Sequence, residues 1–145
     1  MIAVDTNILV RYAIKDDLKQ TATATDFLKS SNCFVLKTVV LELAWVLSSQ
    51  AGYNLTRSVT AERLRHICGL PTITLEDASA VAQAIIWYEQ GMDFADALHL
   101  SSSSFCSGFA TMDRRMTDKA AKLAVGYKVS LLPEDPKQGL KEKVE

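Results

Sequence analysis

The chain has 145 residues, of which 48% are hydrophobic and 23% are charged. This length predicts one domain that buries about two-thirds of its unfolded surface, so a core can form without disulfides or a structural metal. The 16 Lys and Arg residues nearly balance the 17 Asp and Glu residues, which gives a net charge of -1. That balance argues against nucleic-acid binding driven by bulk charge, although it leaves room for a local basic rim.

The cysteine pattern and the hydropathy indicate a protein of the reducing cytoplasm. Cys33, Cys68 and Cys106 are odd in number, widely spaced and outside any CxxC or Cys/His cluster, so we expect buried free thiols. No stretch approaches the roughly 20 apolar residues of a membrane span, and Asp5 interrupts a signal-peptide pattern at the start. We therefore expect a soluble, cytoplasmic protein that does not enter a membrane.

Short apolar runs alternate with amphipathic segments along the chain. The runs predict strands at 2–4, 33–36, 72–75, 108–112 and 128–132. The segments between them predict helices at 6–15, 17–29, 39–50, 56–68 and 76–90, a further helix from 93, and a last one at 114–124. This alternation is typical of an α/β fold, here of three α/β/α layers around a central parallel sheet of about four or five short strands. We assign 1–132 to one domain and the Pro- and Gly-containing, charged segment 133–145 to a solvated tail.

Two aspartates directly follow predicted strands. Asp5 ends the run 2–4, which we expect to be a strand buried on both faces, and Asp113 ends the run 109–112. In open parallel sheets, ligands bind beyond the carboxyl ends of the strands. Each Asp can also cap the helix that follows it, which is a common use of this residue. The strand-end position alone leaves capping and ligand binding open for both residues.

Two further carboxylates lie on predicted helices. Glu42 has Trp45 and Val46 one turn away, an apolar surface on which an ionised carboxylate is costly unless a cation or a hydrogen-bond donor meets it. A structural salt bridge to a Lys or Arg is the alternative. Asp96 falls in the first turn of its helix, where the helix dipole favours negative charge. Asp93, three residues earlier, is the better candidate for the N-cap and could also support a metal site as an outer ligand.

A parallel sheet can bring four carboxylates to one edge: Asp5, Glu42, Asp96 and Asp113. Carboxylates gathered in this way repel one another, which destabilises the fold or raises their pKa values. A bound Mg²⁺ or Mn²⁺ removes that repulsion, because hard divalent cations prefer oxygen ligands. Such an ion can activate water and stabilise charge on a phosphate, so the pattern indicates metal-assisted hydrolysis of a phosphodiester.

Four segments carry a resemblance to a known family: VDTNILVR, TVVLELAWVL, DFADALHL and FATMDRRM. In their order and spacing they resemble the four acidic motifs of PIN-domain ribonucleases, especially the VapC toxins of bacterial toxin–antitoxin pairs. The resemblance extends from residue 1 to about residue 132. It implies a PIN-like fold and a Mg²⁺ site formed by the four carboxylates, supported by hydrogen bonds from Thr6, Asn7 and Thr111. It also implies an endoribonuclease that cuts RNA, often as a homodimer, and is inhibited by a cognate antitoxin protein.

Basic residues in these motifs are candidates for binding substrate phosphates. Arg114 and Arg115 follow the aspartate of the fourth motif, and Arg11 closes the first motif. Arginine binds phosphate oxygens well, whereas a solvated helix face is the alternative for all three residues. Trp45 and Trp87 lie in apolar helical stretches, so we interpret them as core or dimer contacts rather than base-stacking platforms.

Three other functions share parts of this pattern. A phosphorylation-switched receiver domain also places an Asp at a strand end near Mg²⁺, but it needs an acidic pair there, and this chain has only Asp5. A catalytically silent protein-binding module could keep the fold and the metal site, and an RNase assay on the isolated chain distinguishes it. A nuclease acting on DNA is the nearest enzymatic alternative, since the preference for RNA depends on the resemblance alone.

Overall fold

In the computed structural model of the chain, residues 1–134 are described, and they contain five strands and seven helices. The strands are β1 (Ile2–Ala3), β2 (Cys33–Val35), β3 (Ile73–Leu75), β4 (Phe109–Thr111) and β5 (Val129–Leu131). The helices are α1 (Thr6–Ala13), α2 (Leu18–Ser30), α3 (Lys37–Ser48), α4 (Arg57–Cys68), α5 (Ala78–Glu89), α6 (Phe94–Ser102) and α7 (Arg114–Leu123). Each predicted strand and helix is present. The tail expected at 133–145 lies, from residue 135 onward, outside the described residues.

All strand pairs in the described part of the chain are parallel, so the predicted α/β fold is confirmed. The strands pair in the order β1-β2-β3 in one sheet and β4-β5 in another. The single sheet of four or five strands is therefore divided into hydrogen-bonded groups of three and two. Strand β1 has two residues and β4 has three, so each offers few backbone groups for pairing with a second neighbouring strand.

Strand β1 is more exposed than the sequence predicted. The expectation that it is buried on both faces is wrong, because Ile2 is 52% exposed and Ala3 is also exposed. The reason is its place at the edge of the three-stranded sheet, where only β2 pairs with it. Val4, immediately after the strand, is the residue that enters the core. The polypeptide therefore passes from an edge strand into the core just before Asp5.

The hydrophobic core is formed by one side of the helices and by β2, the middle strand of its sheet. On α3 the buried residues are Val40, Leu43, Ala44 and Leu47, a spacing typical of one face of a helix. Each fully buried leucine contributes about 1.5–3 kcal/mol relative to an exposed one. No helix within residues 1–134 combines the length and apolar character needed to cross a membrane.

Candidate active site

Asp5 caps the first helix. Its Oδ1 accepts a hydrogen bond from the Thr6 N–H at 2.7 Å, and Thr6 itself is buried. Capping, which the sequence left open, is thus present. Capping uses only one of the two carboxylate oxygens. Oδ2 has no hydrogen-bond partner among residues 1–134, although a carboxylate accepts at both oxygens. The exposed Asp5 side chain can therefore cap α1 and still present an oxygen to a ligand.

Asp113 has the same relation to α7 that Asp5 has to α1. Its Oδ1 accepts hydrogen bonds from the Arg115 and Met116 N–H groups at 2.9 and 3.5 Å. Its own backbone N–H donates to Thr111 Oγ1 at 3.0 Å, so the last residue of β4 orients the capping residue. Asp113 is exposed, and its Oδ2 has no partner in the described part of the chain.

Asp93 and Asp96 form the start of α6. Asp93 Oδ2 accepts a hydrogen bond from the Asp96 N–H at 3.2 Å, as expected of the N-cap. Burial raises the pKa of the partly buried Asp96 carboxyl above its ordinary value. The negative charges of Asp93 and Asp113 raise this pKa further, while His99 lowers it. The starts of α6 and α7 are therefore close enough for their carboxylates to repel one another.

Glu42 lies on the solvent side of α3. The apolar surroundings expected for it are wrong, because the core face of α3 is formed by 40, 43, 44 and 47, and Glu42 lies off that face. Trp45, one turn on, is 59% exposed and is not a core residue. The alternative of a structural salt bridge is not found either, since Glu42 has no ion pair with any residue from 1 to 134. The exposed Glu42 carboxylate is therefore accessible to a ligand.

The acidic residues fit a divalent cation by their chemistry, although no complete site is assembled. In the described residues, no group of three or more His, Cys, Asp or Glu side chains is arranged to hold a metal ion. Burial, and then the negative charges of Asp93 and Asp113, raise the pKa of Asp96, however, so Asp96 lies near enough to both carboxylates to be repelled by them. Carboxylate oxygens under mutual repulsion are the ligands that Mg²⁺ or Mn²⁺ stabilises.

The three arginine candidates differ in their surroundings. Arg11 forms an ion pair with Asp16, with 3.1 Å between Nη1 and Oδ1. Together with Asn7 it lines a groove of about 770 Å³ between α1 and α2. Arg114 and Arg115 are exposed and have no ion-pair partner among residues 1–134. Their guanidinium groups are therefore more available to an anionic ligand than that of Arg11.

Sequence reasoning missed one residue that contacts the segment before α6. Arg57, the first residue of α4, donates hydrogen bonds to backbone carbonyls in the segment that leads into Asp93. A signal was present, because a cation in the first turn of a helix opposes the helix dipole and so needs another reason to be there.

Comparison with known proteins identifies the family of the chain. A family model described as PIN domain matches residues 2–123, and that family is a family of nucleases. The match contains all four carboxylates of the predicted site. A comparison with curated protein sequences gave no match.

Proposed function

Because the chain belongs to the PIN-domain family, we propose that it is a Mg²⁺-dependent endoribonuclease and the toxin of a toxin–antitoxin pair. The observation that carries the proposal is the match of a PIN-domain model to residues 2–123, a range that contains all four carboxylates of the predicted site. In the proposed site four residues bind one or two Mg²⁺ or Mn²⁺ ions: Asp5, Glu42, Asp96 and Asp113. Both strand-end aspartates keep one oxygen without a partner among residues 1–134, which supports this role.

The protein supplies orientation and charge in this proposal. Bound Mg²⁺ would lower the pKa of water and stabilise the charge that develops on the phosphate. Thr111 holds the backbone of Asp113, and Asp93 holds that of Asp96, so both carboxylates are positioned by hydrogen bonds. The exposed Arg114 and Arg115 would bind phosphate oxygens of the substrate beside the acidic residues. Thr6 and Asn7 would support Asp5.

The proposed partners are an RNA substrate, a second copy of the chain and a cognate antitoxin. Large apolar side chains that remain exposed are candidates for contacts in a protein interface. Trp45, Ile86 and Met112 are 59%, 45% and 80% exposed. The three cysteines are free thiols, which supports the proposed cytoplasmic location, but the expectation that all are buried is wrong, because Cys106 is exposed.

The function is tested by RNA cleavage with matched variants. We expect wild type to cut single-stranded RNA with Mg²⁺ or Mn²⁺ and to lose activity in EDTA. Asp5→Asn should lower the rate by about a hundredfold or more, the scale seen when a group that stabilises transition-state charge is removed. Asp26→Asn is the control, because Asp26 is an exposed carboxylate on α2.

Three outcomes contradict the proposal: equal cleavage by Asp5→Asn, activity that survives EDTA, or no cleavage of RNA at all. Single-stranded DNA of the same sequence is the parallel substrate. Faster cleavage of DNA than of RNA would overturn the ribonuclease assignment and leave the metal site intact. The toxin role would be supported by a protein that co-purifies with the chain, inhibits its RNA cleavage and remains bound to it in EDTA.

A further inference from the structure

Arg57 joins the start of α4 to the turn between α5 and α6. Its Nη1 donates hydrogen bonds to the Tyr88 carbonyl at 2.7 Å and to the Met92 carbonyl at 2.8 Å. Tyr88 lies in the last turn of α5, whereas Met92 lies in the turn and is 1% exposed. One guanidinium therefore holds the helix end and the turn together. Asp93, the N-cap of α6, is the next residue after Met92.

A second contact runs from Arg57 to the first residue of α6 through an aromatic ring. The Arg57 guanidinium carbon lies 4.5 Å from the centre of the Tyr88 ring, a distance at which a cation is attracted to the ring face. The Tyr88 ring packs edge-on against Phe94, with 5.6 Å between ring centres. Phe94 begins α6, so Arg57 acts on both sides of Asp93: through a carbonyl before it and through a ring after it.

The charge of Arg57 suits this position and not its own helix. A cation in the first turn of α4 is disfavoured by the dipole of that helix, whereas one at the end of α5 is favoured. The last turn of α5 contains no basic residue of its own. Arg57 therefore brings a positive charge from α4 to the carbonyl groups at the end of α5. The turn it holds contains Gly91 at φ +112, a conformation that side-chain-bearing residues rarely adopt.

We propose that Arg57 is a positioning residue that holds the turn before α6, and so places Asp93 and Asp96 for metal binding. It does not touch the substrate or the reacting atoms. The inference rests on the proposed function for its consequence in catalysis, but not for its consequence in structure. Without Arg57, two carbonyls lose their charged donor and the turn opens more often, so the carboxylates spend less time in place.

The test compares two arginines of α4. Arg57→Ala removes the hydrogen bonds to the Tyr88 and Met92 carbonyls, whereas Arg65→Ala removes an α4–α5 ion pair with the Glu89 side chain and leaves those hydrogen bonds in place. Hydrogen exchange of the Met92, Asp96 and Ala97 amides reports opening, because these amides bond to Trp87 O, Asp93 Oδ2 and Asp93 O. We expect exchange about tenfold faster in Arg57→Ala, the scale of one lost hydrogen bond to a charged group, and unchanged exchange in Arg65→Ala.

Cleavage supplies the second readout. In Arg57→Ala the Mg²⁺ concentration for half-maximal cleavage should rise, because Asp93 and Asp96 are held less firmly for metal binding, while KM for RNA stays within about twofold. Arg57→Lys keeps the charge but loses the planar guanidinium, which donates to both carbonyls from Nη1 and lies over the Tyr88 ring, so its exchange should lie between those of wild type and Arg57→Ala. If Arg57→Ala does not fold, the lysine variant decides the question.

Failure of this inference is distinct from failure of the proposed function. Exchange at Met92 and Asp96 equal to wild type in a folded Arg57 variant overturns the positioning role, whatever the activity. An equal acceleration in Arg65→Ala also overturns it, because the effect would then belong to α4–α5 packing in general. Absence of RNA cleavage by wild type overturns the proposed function and leaves the exchange measurement as the test of Arg57.

Discussion

Replacing Asp96 by Asn distinguishes two roles for this residue: a metal ligand, or a first-turn residue that only stabilises α6. The substitution keeps the shape of the side chain and removes a charge that is partly buried and lies near Asp93 and Asp113. Because both neighbours are negative, the uncharged variant should be the more stable protein when no divalent ion is present. A purely structural role for the Asp96 charge predicts the opposite.

The magnitude follows from the exposure of the group. Asp96 is partly exposed, so solvent screens its repulsions, and two exposed charge pairs together amount to about 0.5–1 kcal/mol. For a domain of this size that corresponds to a rise in Tm of about 2–4 °C. Mg²⁺ at a hundred times its Kd would add about 2.7 kcal/mol to wild type and much less to the variant. The order of the two Tm values should therefore reverse when Mg²⁺ is added.

The pH dependence of stability follows from the same raised pKa. The pKa of Asp96 is raised in the folded protein, so its protonated form stabilises the fold. That contribution is complete below the ordinary value of 3.8 and is lost as pH rises through the raised pKa. The advantage of Asp96→Asn should therefore be absent in acid and appear as pH rises toward neutrality.

The assay is thermal unfolding at several pH values, with and without Mg²⁺, alongside Asp26→Asn as an exposed-carboxylate control. Mg²⁺ raising the Tm of wild type and of Asp96→Asn equally would refute the ligand role. A variant that is less stable than wild type at pH 7 without Mg²⁺ would refute the repulsion from which the metal site was inferred.

Two further predictions concern other parts of the structure. Glu76 Oε1 accepts a hydrogen bond from the Lys37 N–H at 2.8 Å and so serves as the cap that Leu36, at the start of α3, lacks. Glu76→Ala should lower the free energy of unfolding by about 1 kcal/mol in urea denaturation, and an unchanged midpoint would contradict this. Burial raises the pKa of the Cys68 thiol to about 11, whereas Cys106 is exposed. A thiol reagent at pH 8 should therefore modify Cys106 quickly and Cys68 slowly. Modification of Cys68 should become faster as pH approaches its pKa. Rapid modification that persists in Cys106→Ser would contradict this prediction.

Local sequence patterns were sufficient to predict the helices and the N-cap of α6. Asp93 was expected to cap α6 and does so, because an N-cap depends on residues within one turn of itself. The face of α3 could not be predicted in the same way. Its residues 39–41 and 43–47 are all apolar, so periodicity alone did not distinguish the core face from the one that carries Glu42.

Long-range contacts were the other limit. Arg57 bonds to carbonyls 31 and 35 residues away, a distance at which no spacing rule connects a donor with its acceptor. The division of the strands into two sheets likewise depends on which short strands meet in space. The strands themselves could be predicted because each is a local apolar run, but β1 and β4 are too short for their sequences to specify a second neighbour.

Because Trp45 is exposed, its fluorescence can report on binding to this part of the molecule. The chain has two tryptophans, and the second, Trp87, is 5% exposed and packs edge-on against Tyr127. Emission that aqueous quenchers reach therefore originates from Trp45, one helical turn from Glu42. Any macromolecule that settles over this side of α3 should shield the indole and shift its emission to shorter wavelength, without a label and without a substitution in the acidic residues.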